Sequence, residues 1–169
     1  MDFQVGEKVV YPNQGVGIVE QISTRNLTGQ TQVFYLLRLN SSSLRVMVPT
    51  SNVQNVGLRR VAKNREVQAM IEYLEKGRTK LPADWKNRFK ENSEKMRNGS
   101  LLQVAEVFKT LLILNQAKPL SFREKKMLDR SWTLLADETA VARGAARMEA
   151  EALLVKALSR SNLRVPLPS

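Results

Sequence analysis

Short apolar runs separated by turn-forming residues fill the first sixty positions of the chain. Five strands are predicted there, over Lys8 to Tyr11, Gly15 to Arg25, Gln32 to Leu39, Leu44 to Val48, and Val56 to Leu58. A hairpin joins the second strand to the third, because the intervening segment contains Gly29. Since a sandwich needs more strands, the pattern predicts a small five-stranded barrel of the Tudor or SH3 type.

The fourth predicted strand alternates in a way that assigns its two faces. Leu44, Val46 and Val48 occupy one face, and Arg45 and Met47 occupy the other. We therefore expect the first set to enter the core and the arginine and methionine to point outward.

After Arg60 the apolar spacing changes from two residues to three or four, which indicates helices. The first has apolar positions at 67, 70, 71 and 74 and a stop at Gly77, and Pro82 precedes an N-cap at Asp84. Capping boxes begin further helices after Ser100 and Ser121. After this first helix, which ends at Gly77, the predicted helices are about 84 to 97, one that opens at Ser100 and runs to about Leu114, a helix beginning after Ser121 with Met127, Leu128, Leu134 and Leu135 inside, and about Ala145 to Leu158 with Leu154, Val155 and Leu158 docked.

These elements predict an α+β protein in three segments. Residues 1–60 form the small five-stranded Tudor/SH3-like β-barrel, residues 61–158 form an all-helical domain of about five helices, and residues 159–169 form a flexible tail. The helix after Ser100 is apolar on nearly all sides, so we expect it to be the buried centre of the helical domain.

The charge of the chain indicates a polyanion partner. The net charge is +11, and it divides into +3 for residues 1–60, +7 for 61–130 and +1 for 131–169. The chain contains no cysteine and no histidine, which removes disulfides, thiol nucleophiles, imidazole bases and the usual zinc sites. Neither a signal peptide nor a long apolar run is present, so a cytoplasmic protein is expected.

The predicted helix after Asp84 carries the most informative surface pattern. Trp85, Phe89 and Met96 fall within about 40° of one another around the helix, and basic residues flank this stripe at Lys86, Lys90 and Arg97 on one side and at Arg88 and Lys95 on the other. Such a ridge suits an aromatic wedge at a distorted minor groove with lysines on phosphates. It equally suits a half-buried core anchor with a solvated fringe, and the pattern alone leaves both interpretations open.

Other candidate sites give weaker signals. Lys125 and Lys126 begin their helix, where the helix dipole would help them to contact phosphates of the same duplex, although a lysine pair is often only a solvated surface. Trp132 is expected in the core. Gly15-Val16-Gly17 leads into a strand rather than a helix, which disfavours a phosphate loop.

The order and spacing of short motifs along nearly the whole chain resemble one family, the CarD/CdnL bacterial transcription regulators that bind RNA polymerase. The matching residues are Phe3, Val5-Gly6-Glu7, Val9-Val10-Tyr11-Pro12, Gly15, Thr24-Arg25, Val48-Pro49, Val56-Gly57-Leu58-Arg59, Trp85, Arg88, Phe89, Lys90, Ala105-Glu106-Val107, Leu120-Ser121, and Glu124-Lys125-Lys126-Met127-Leu128.

This resemblance implies that the N-terminal domain binds the polymerase β subunit. The positions that match the family's polymerase-binding surface are Arg25, Arg45, Met47 and Pro49. Some relatives carry arginine where this chain has Met47. A methionine beside an arginine suits a protein interface, and an exposed strand edge would add to a sheet in the partner.

For the helical domain, the resemblance implies contact with promoter DNA at the upstream edge of the transcription bubble. Trp85 matches the family's tryptophan that wedges into the minor groove, and Asn87 replaces an arginine common in relatives. The basic positions that match the family's DNA contacts or lie beside them are Lys86, Arg88, Lys90, Lys125 and Lys126.

The predicted function is therefore to stabilise the open promoter complex, with low sequence specificity, as a monomer associated with polymerase at the nucleoid. No enzyme activity, cofactor, metal or membrane partner is expected. The alternative is a polymerase-bound adaptor whose basic helices dock an acidic protein rather than DNA. An enzyme built on Lys, Asp or Glu is disfavoured, because His and Cys are absent.

Overall fold

The structure is a computed structural model that describes residues 2–40, 42–79, 81 and 84–165. The chain divides after Val61 into two compact units, and each is described here by itself. The first unit contains the strands and the second contains the five longer helices, which confirms the predicted α+β class. No helix in the described ranges has the length and apolarity that crossing a bilayer requires.

The first unit is a five-stranded antiparallel sheet with the strand order β4-β3-β2-β1-β5. The strands are β1 (Lys8–Tyr11), β2 (Gly15–Leu27), β3 (Gln30–Leu39), β4 (Arg45–Pro49) and β5 (Arg59–Arg60). The third strand pairs with the second over its full length, as the predicted hairpin. The register moves by one residue between Val19 and Gln21, so that Glu20 is the extra residue of a β-bulge.

Two details of the predicted strands are wrong. Val56 lies in a short helix, α1 (Val53–Val56), and Gly57 ends that helix with φ +77°, a conformation that suits glycine, so the strand follows at 59 and 60. Leu44 precedes β4 and is 53% exposed rather than buried. The rest of the β4 alternation is confirmed, since Val46 and Val48 join the core while Arg45 and Met47 point outward.

The core of the first unit lies on one side of the sheet. Phe3 packs edge-on against Tyr35, with 5.6 Å between ring centroids, and its backbone N–H donates to the Tyr35 hydroxyl at 3.1 Å. This hydrogen bond satisfies a polar group inside an otherwise apolar cluster. The other buried members of this cluster are Val9, Val19, Leu37, Val48, Val53 and Leu58.

The second unit consists of α2 (Asn64–Lys76), α3 (Trp85–Asn98), α4 (Leu101–Ala117), α5 (Phe122–Arg143) and α6 (Arg147–Ser159). The expected centre is confirmed, because α4 buries nine residues, from Leu101 to Leu112. Trp132 packs on Phe108 with 5.3 Å between ring centroids, in agreement with the predicted core position. Val155 is 45% exposed and so does not dock as predicted, whereas Leu154 and Leu158 do.

The segment after α6 is more ordered than the predicted flexible tail. Leu163 is 5% exposed and belongs to the core of the second unit, and the Ser161 hydroxyl donates to the carbonyl of Leu74 at 2.8 Å. Burial of Leu163 explains why the chain folds back rather than fraying. Residues 166–169, with Pro166 and Pro168, lie outside the described residues, as does Pro82 of the predicted connector.

The end of α2 depends on close packing at Gly77. The helix stops there as predicted, but Gly77 is extended, with φ −69°, so the left-handed conformation is not the reason for a glycine. A Cβ at this position would lie 2.7 Å from the Tyr73 carbonyl oxygen and would also clash with the Tyr73 ring. The Lys109 ammonium, which is buried, donates to the carbonyls of Tyr73 and Gly77 at 2.8 Å each, and burial lowers the pKa of Lys109.

We predict that Gly77→Ala lowers the free energy of unfolding by about 1–3 kcal/mol, the usual cost of overpacking. Lys76→Ala is the matched control, because Lys76 is exposed and next in the chain, and its cost should stay within about 0.5 kcal/mol. Urea unfolding followed by circular dichroism measures both. Equal costs for the two variants would contradict the packing argument.

Candidate functional site

The register of the sheet places the predicted β4 residues on one face, away from the core of the first unit. Arg45, Met47 and Pro49 pair with Arg38, Leu36 and Phe34 of β3 respectively. Directly paired residues of an antiparallel sheet point to the same side. These six residues therefore share one surface, which we call the outer face.

The outer face has an apolar centre and basic ends. Phe34, Leu36 and Pro49 are partly exposed and Met47 is 37% exposed, so the apolar side chains are covered only incompletely. Arg38 and Arg45 are exposed beside them. The Arg45 Nε atom lies 3.1 Å from Oε2 of Glu20, the residue at the bulge in β2. An apolar centre with a charged rim is the usual anatomy of a protein interface.

Arg25 belongs to the same side of the sheet. It pairs with Gln32 and lies two residues beyond Ser23, which pairs with Phe34, so the alternation of β2 directs it to the outer face. Arg25 is exposed near the far end of the hairpin. The structure thus brings all four predicted polymerase-binding residues, Arg25, Arg45, Met47 and Pro49, to one face.

Sequence reasoning missed Phe34, Leu36 and Arg38. The third strand is apolar at nearly every position from 33 to 39, so hydropathy alone shows no alternation there. The signal was available only through the partner strand, because the outward positions of β4 fix which residues of β3 they face.

In the second unit, α3 begins at Trp85 under the predicted cap. The Asp84 carboxylate accepts a hydrogen bond from the Lys86 backbone N–H at 3.1 Å, which satisfies a donor at the helix start. Trp85 is 40% exposed and is absent from the buried core. Its ring stacks on Phe89, one turn later, with 6.0 Å between ring centroids and an angle of 18° between the planes.

A buried carboxylate on α5 holds this part of α3. Glu124 is 2% exposed, and its Oε1 accepts from the Trp85 indole N–H at 3.2 Å. Its Oε2 accepts from Arg88 Nε at 3.1 Å, and Arg88 Nη2 lies 3.4 Å from Oε1. The predicted capping box at Ser121 is only half used. The Ser121 hydroxyl accepts from the Glu124 backbone N–H at 3.3 Å, but the Glu124 carboxylate is directed to α3 instead.

Exposed aromatic and basic side chains surround these contacts. Phe122, the first residue of α5, is 71% exposed, and the Lys126 ammonium lies 4.6 Å from its ring centroid. The Arg123 guanidinium lies 4.6 Å from the ring centroid of Phe89. With exposed Lys86 and Lys90 on α3, these side chains form what we call the aromatic-basic surface, which comprises Trp85, Phe89, Phe122, Lys86, Lys90, Arg123 and Lys126.

The predicted DNA-binding residues separate into three groups. Lys86, Lys90 and Lys126 are exposed on the aromatic-basic surface with Trp85. Arg88 has a side chain that is only 15% exposed, and it forms an internal ion pair. Lys125 lines a different region, a groove between α5 and α6 that also contains Trp132.

Sequence reasoning also missed three residues at the start of α5. The capping-box pattern predicts only a helix cap for Glu124, and the sequence pattern indicates no site for Phe122 or Arg123. The one available signal was Glu124 itself, which lies four residues before Leu128 and therefore on the same, buried face of the helix. No cluster of acidic side chains that would hold a metal ion occurs in the part of the chain that the structure describes.

Comparison with known proteins agrees with the division into two parts. The model of the CarD-like/TRCF RID domain matches residues 3–62, and that of the CarD C-terminal domain matches residues 69–155. A Bacillus subtilis (strain 168) protein, "Putative transcription factor YdeB", is 32% identical over 142 residues, which cover 84% of this chain and 93% of that protein. The solved structure "CdnLNt from Myxoccoccus xanthus" shares 44% sequence identity over 36% of this chain and 86% of that chain, with a TM-score of 0.31.

The two family models follow each other in chain order and together span most of the sequence. The first unit is thus the RNA polymerase-interacting domain of a CarD-like transcription factor, and the protein is not an enzyme. The chain belongs to the CarD/CdnL family, as its motifs predicted.

Proposed function

We propose that this protein binds the RNA polymerase β subunit through the outer face and contacts promoter DNA through the aromatic-basic surface, thereby stabilising the open promoter complex. One observation carries the DNA part of this proposal. Trp85 is 40% exposed at the first turn of a basic helix, yet it is fixed by a hydrogen bond and an aromatic stack. An exposed but immobilised aromatic ring is what a minor-groove wedge requires.

The outer face supports the polymerase contact by its chemistry. Burying Met47 together with Leu36 and Phe34 against a partner removes apolar surface from water. The arginines at the ends of the outer face favour one orientation of the partner. The fourth strand is also an edge of the sheet, so its outer backbone groups are available to pair with a strand of the partner. Because RNA polymerase and the nucleoid are in the bacterial cytoplasm, the proposed activity is cytoplasmic.

The mechanism is thermodynamic rather than chemical. Binding to polymerase raises the effective concentration of the helical unit at the promoter, so weak DNA contacts become sufficient. If Trp85 fits only the opened junction, its contact favours the open complex selectively. A differential contact of about 1.4 kcal/mol shifts the equilibrium between closed and open complexes tenfold.

The DNA contacts expected here carry little sequence information. Lys86, Lys90 and Lys126 bear flexible point charges that suit phosphates, and the Trp85 ring stacks on any base. Affinity for free DNA should therefore be low and should fall steeply with salt.

The polymerase contact is tested by placing a charge in the apolar centre of the outer face. We predict that Met47→Glu weakens binding to purified bacterial polymerase at least about tenfold, because an unpaired carboxylate would be buried at the interface. Gln54→Glu is the matched control, since Gln54 is an exposed residue of α1 that is not on the outer face. Biolayer interferometry with immobilised polymerase measures both. Equal binding by the two variants would remove the outer face from the proposal.

The DNA contact is tested by removing the exposed ring. We predict that Trp85→Ala shortens the half-life of a promoter open complex toward the value without the protein, while binding to polymerase is unchanged. Met148→Ala is the matched control, because Met148 is an apolar residue of α6 that is 81% exposed and is not on the aromatic-basic surface. Circular dichroism verifies that both variants fold.

Footprinting distinguishes the DNA-binding regulator from an adaptor that docks an acidic protein. The wild-type protein should extend the polymerase footprint upstream of the bubble, and Trp85→Ala should reduce that extension. An unchanged footprint together with an unchanged half-life for Trp85→Ala would favour the adaptor and refute the wedge.

A further inference from the structure

The Glu124 carboxylate receives more hydrogen bonds than a helix cap needs. Besides the Trp85 indole and two nitrogens of Arg88, the Ser121 hydroxyl lies 3.3 Å from Oε1. Both oxygens are thus occupied, and the side chain is 2% exposed. A buried carboxylate is tolerated when a cation and further donors satisfy it.

These contacts fix Trp85 from two directions. The indole N–H is bound to Glu124, and the ring face lies on Phe89, which the Arg123 guanidinium contacts in turn. A half-exposed tryptophan without such partners would sample several rotamers and would lose that freedom on binding. Since the contacts exist in the free protein, the ring is already ordered before it meets a ligand.

Arg88 also binds the Glu124 carboxylate that holds Trp85. Its guanidinium approaches the carboxylate through Nε and Nη2, the forked geometry that arginine forms with carboxylates. The Arg88 side chain is only 15% exposed, so its positive charge is directed inward, unlike those of exposed Lys86 and Lys90.

We propose that Glu124 is a positioning residue that holds the Trp85 ring in its binding orientation, and that Arg88 holds Glu124 rather than a DNA phosphate. This inference rests on the proposed function for its effect on the open complex. Its structural part, the ordering of Trp85 by Glu124, is independent of polymerase and is measured separately.

The ordering is tested by fluorescence in a Trp132→Phe background, in which Trp85 is the remaining tryptophan. The pair Arg88→Leu/Glu124→Leu replaces the buried ion pair with apolar side chains, a change that proteins often tolerate, and it leaves the indole without its acceptor. We expect lower Trp85 anisotropy and stronger quenching by acrylamide than in the background protein. Unchanged anisotropy and quenching in a folded variant would overturn the proposal.

The functional consequence is tested by a double-mutant cycle on open-complex half-life. Glu124→Gln leaves one side-chain oxygen, instead of two, to accept hydrogen bonds from Arg88 and the indole. Trp85→Phe removes the indole N–H while keeping an aromatic ring. Each should shorten the half-life by about three- to tenfold, the range that one hydrogen bond accounts for. The double variant should be no worse than Trp85→Phe alone, because both changes break the same contact. Additive effects would contradict a positioning role.

Glu106→Gln is the matched control for this cycle. It makes the same chemical change. It breaks a second ion pair of α3, which joins that helix to α4 between Lys95 Nζ and Glu106 Oε2 at 2.8 Å. Glu106 does not contact Trp85. Its half-life should equal that of the wild type, and an equal loss in Glu106→Gln and Glu124→Gln would assign the effect to general loosening of α3. An effect of Trp85→Ala without an effect of Glu124→Gln would refute this inference and leave the proposed function intact.

Discussion

The carboxylate of Glu124 is the point on which the aromatic-basic surface depends. It joins the first turn of α5 to the first turn of α3, and it satisfies a buried guanidinium and an indole N–H together. Removing it would leave Arg88 as an uncompensated charge that is largely buried, a change that typically costs about 3–5 kcal/mol. Because Trp85 and Arg88 depend on the same two oxygens, the stability of this region and the orientation of the exposed ring cannot be varied independently.

In the first unit, the register of the sheet has the corresponding role. The pairing of β3 with β4 decides that Tyr35 and Leu37 face the core while Phe34 and Leu36 face outward. A shift by one residue would turn over one of the two strands, exposing its core residues and burying its arginine. The bulge at Glu20 exchanges the two faces of β2 beyond that point, so that Ser23 and Arg25, rather than Ile22 and Thr24, lie on the outer face.

Prediction from the sequence succeeded where a local rule decides the structure. The caps at Asp84 and Ser100, the apolar spacing of α2 and the hairpin at Gly29 depend on neighbours in the chain. It failed where the packing of side chains decides. The glycine at position 77 is required by the Tyr73 ring and not by a left-handed conformation, and the Glu124 carboxylate binds Arg88 and Trp85, which are distant in sequence, instead of completing its capping box.

The internal contacts of Arg88 show why the number of positive charges in a segment overestimates the charge that is available to bind a ligand. The middle of the chain carries the largest excess of positive charge, but some of its cations make contacts within the protein instead of binding a ligand. Arg88 is paired with Glu124, Arg123 covers Phe89, and Lys109 is buried against the end of α2. The exposed cations of the aromatic-basic surface that make none of these three contacts are lysines, whose flexible ammonium groups suit phosphates at variable positions. Arg88 and Arg123 thus help to order the aromatic rings, and the exposed lysines are available to bind a polyanion.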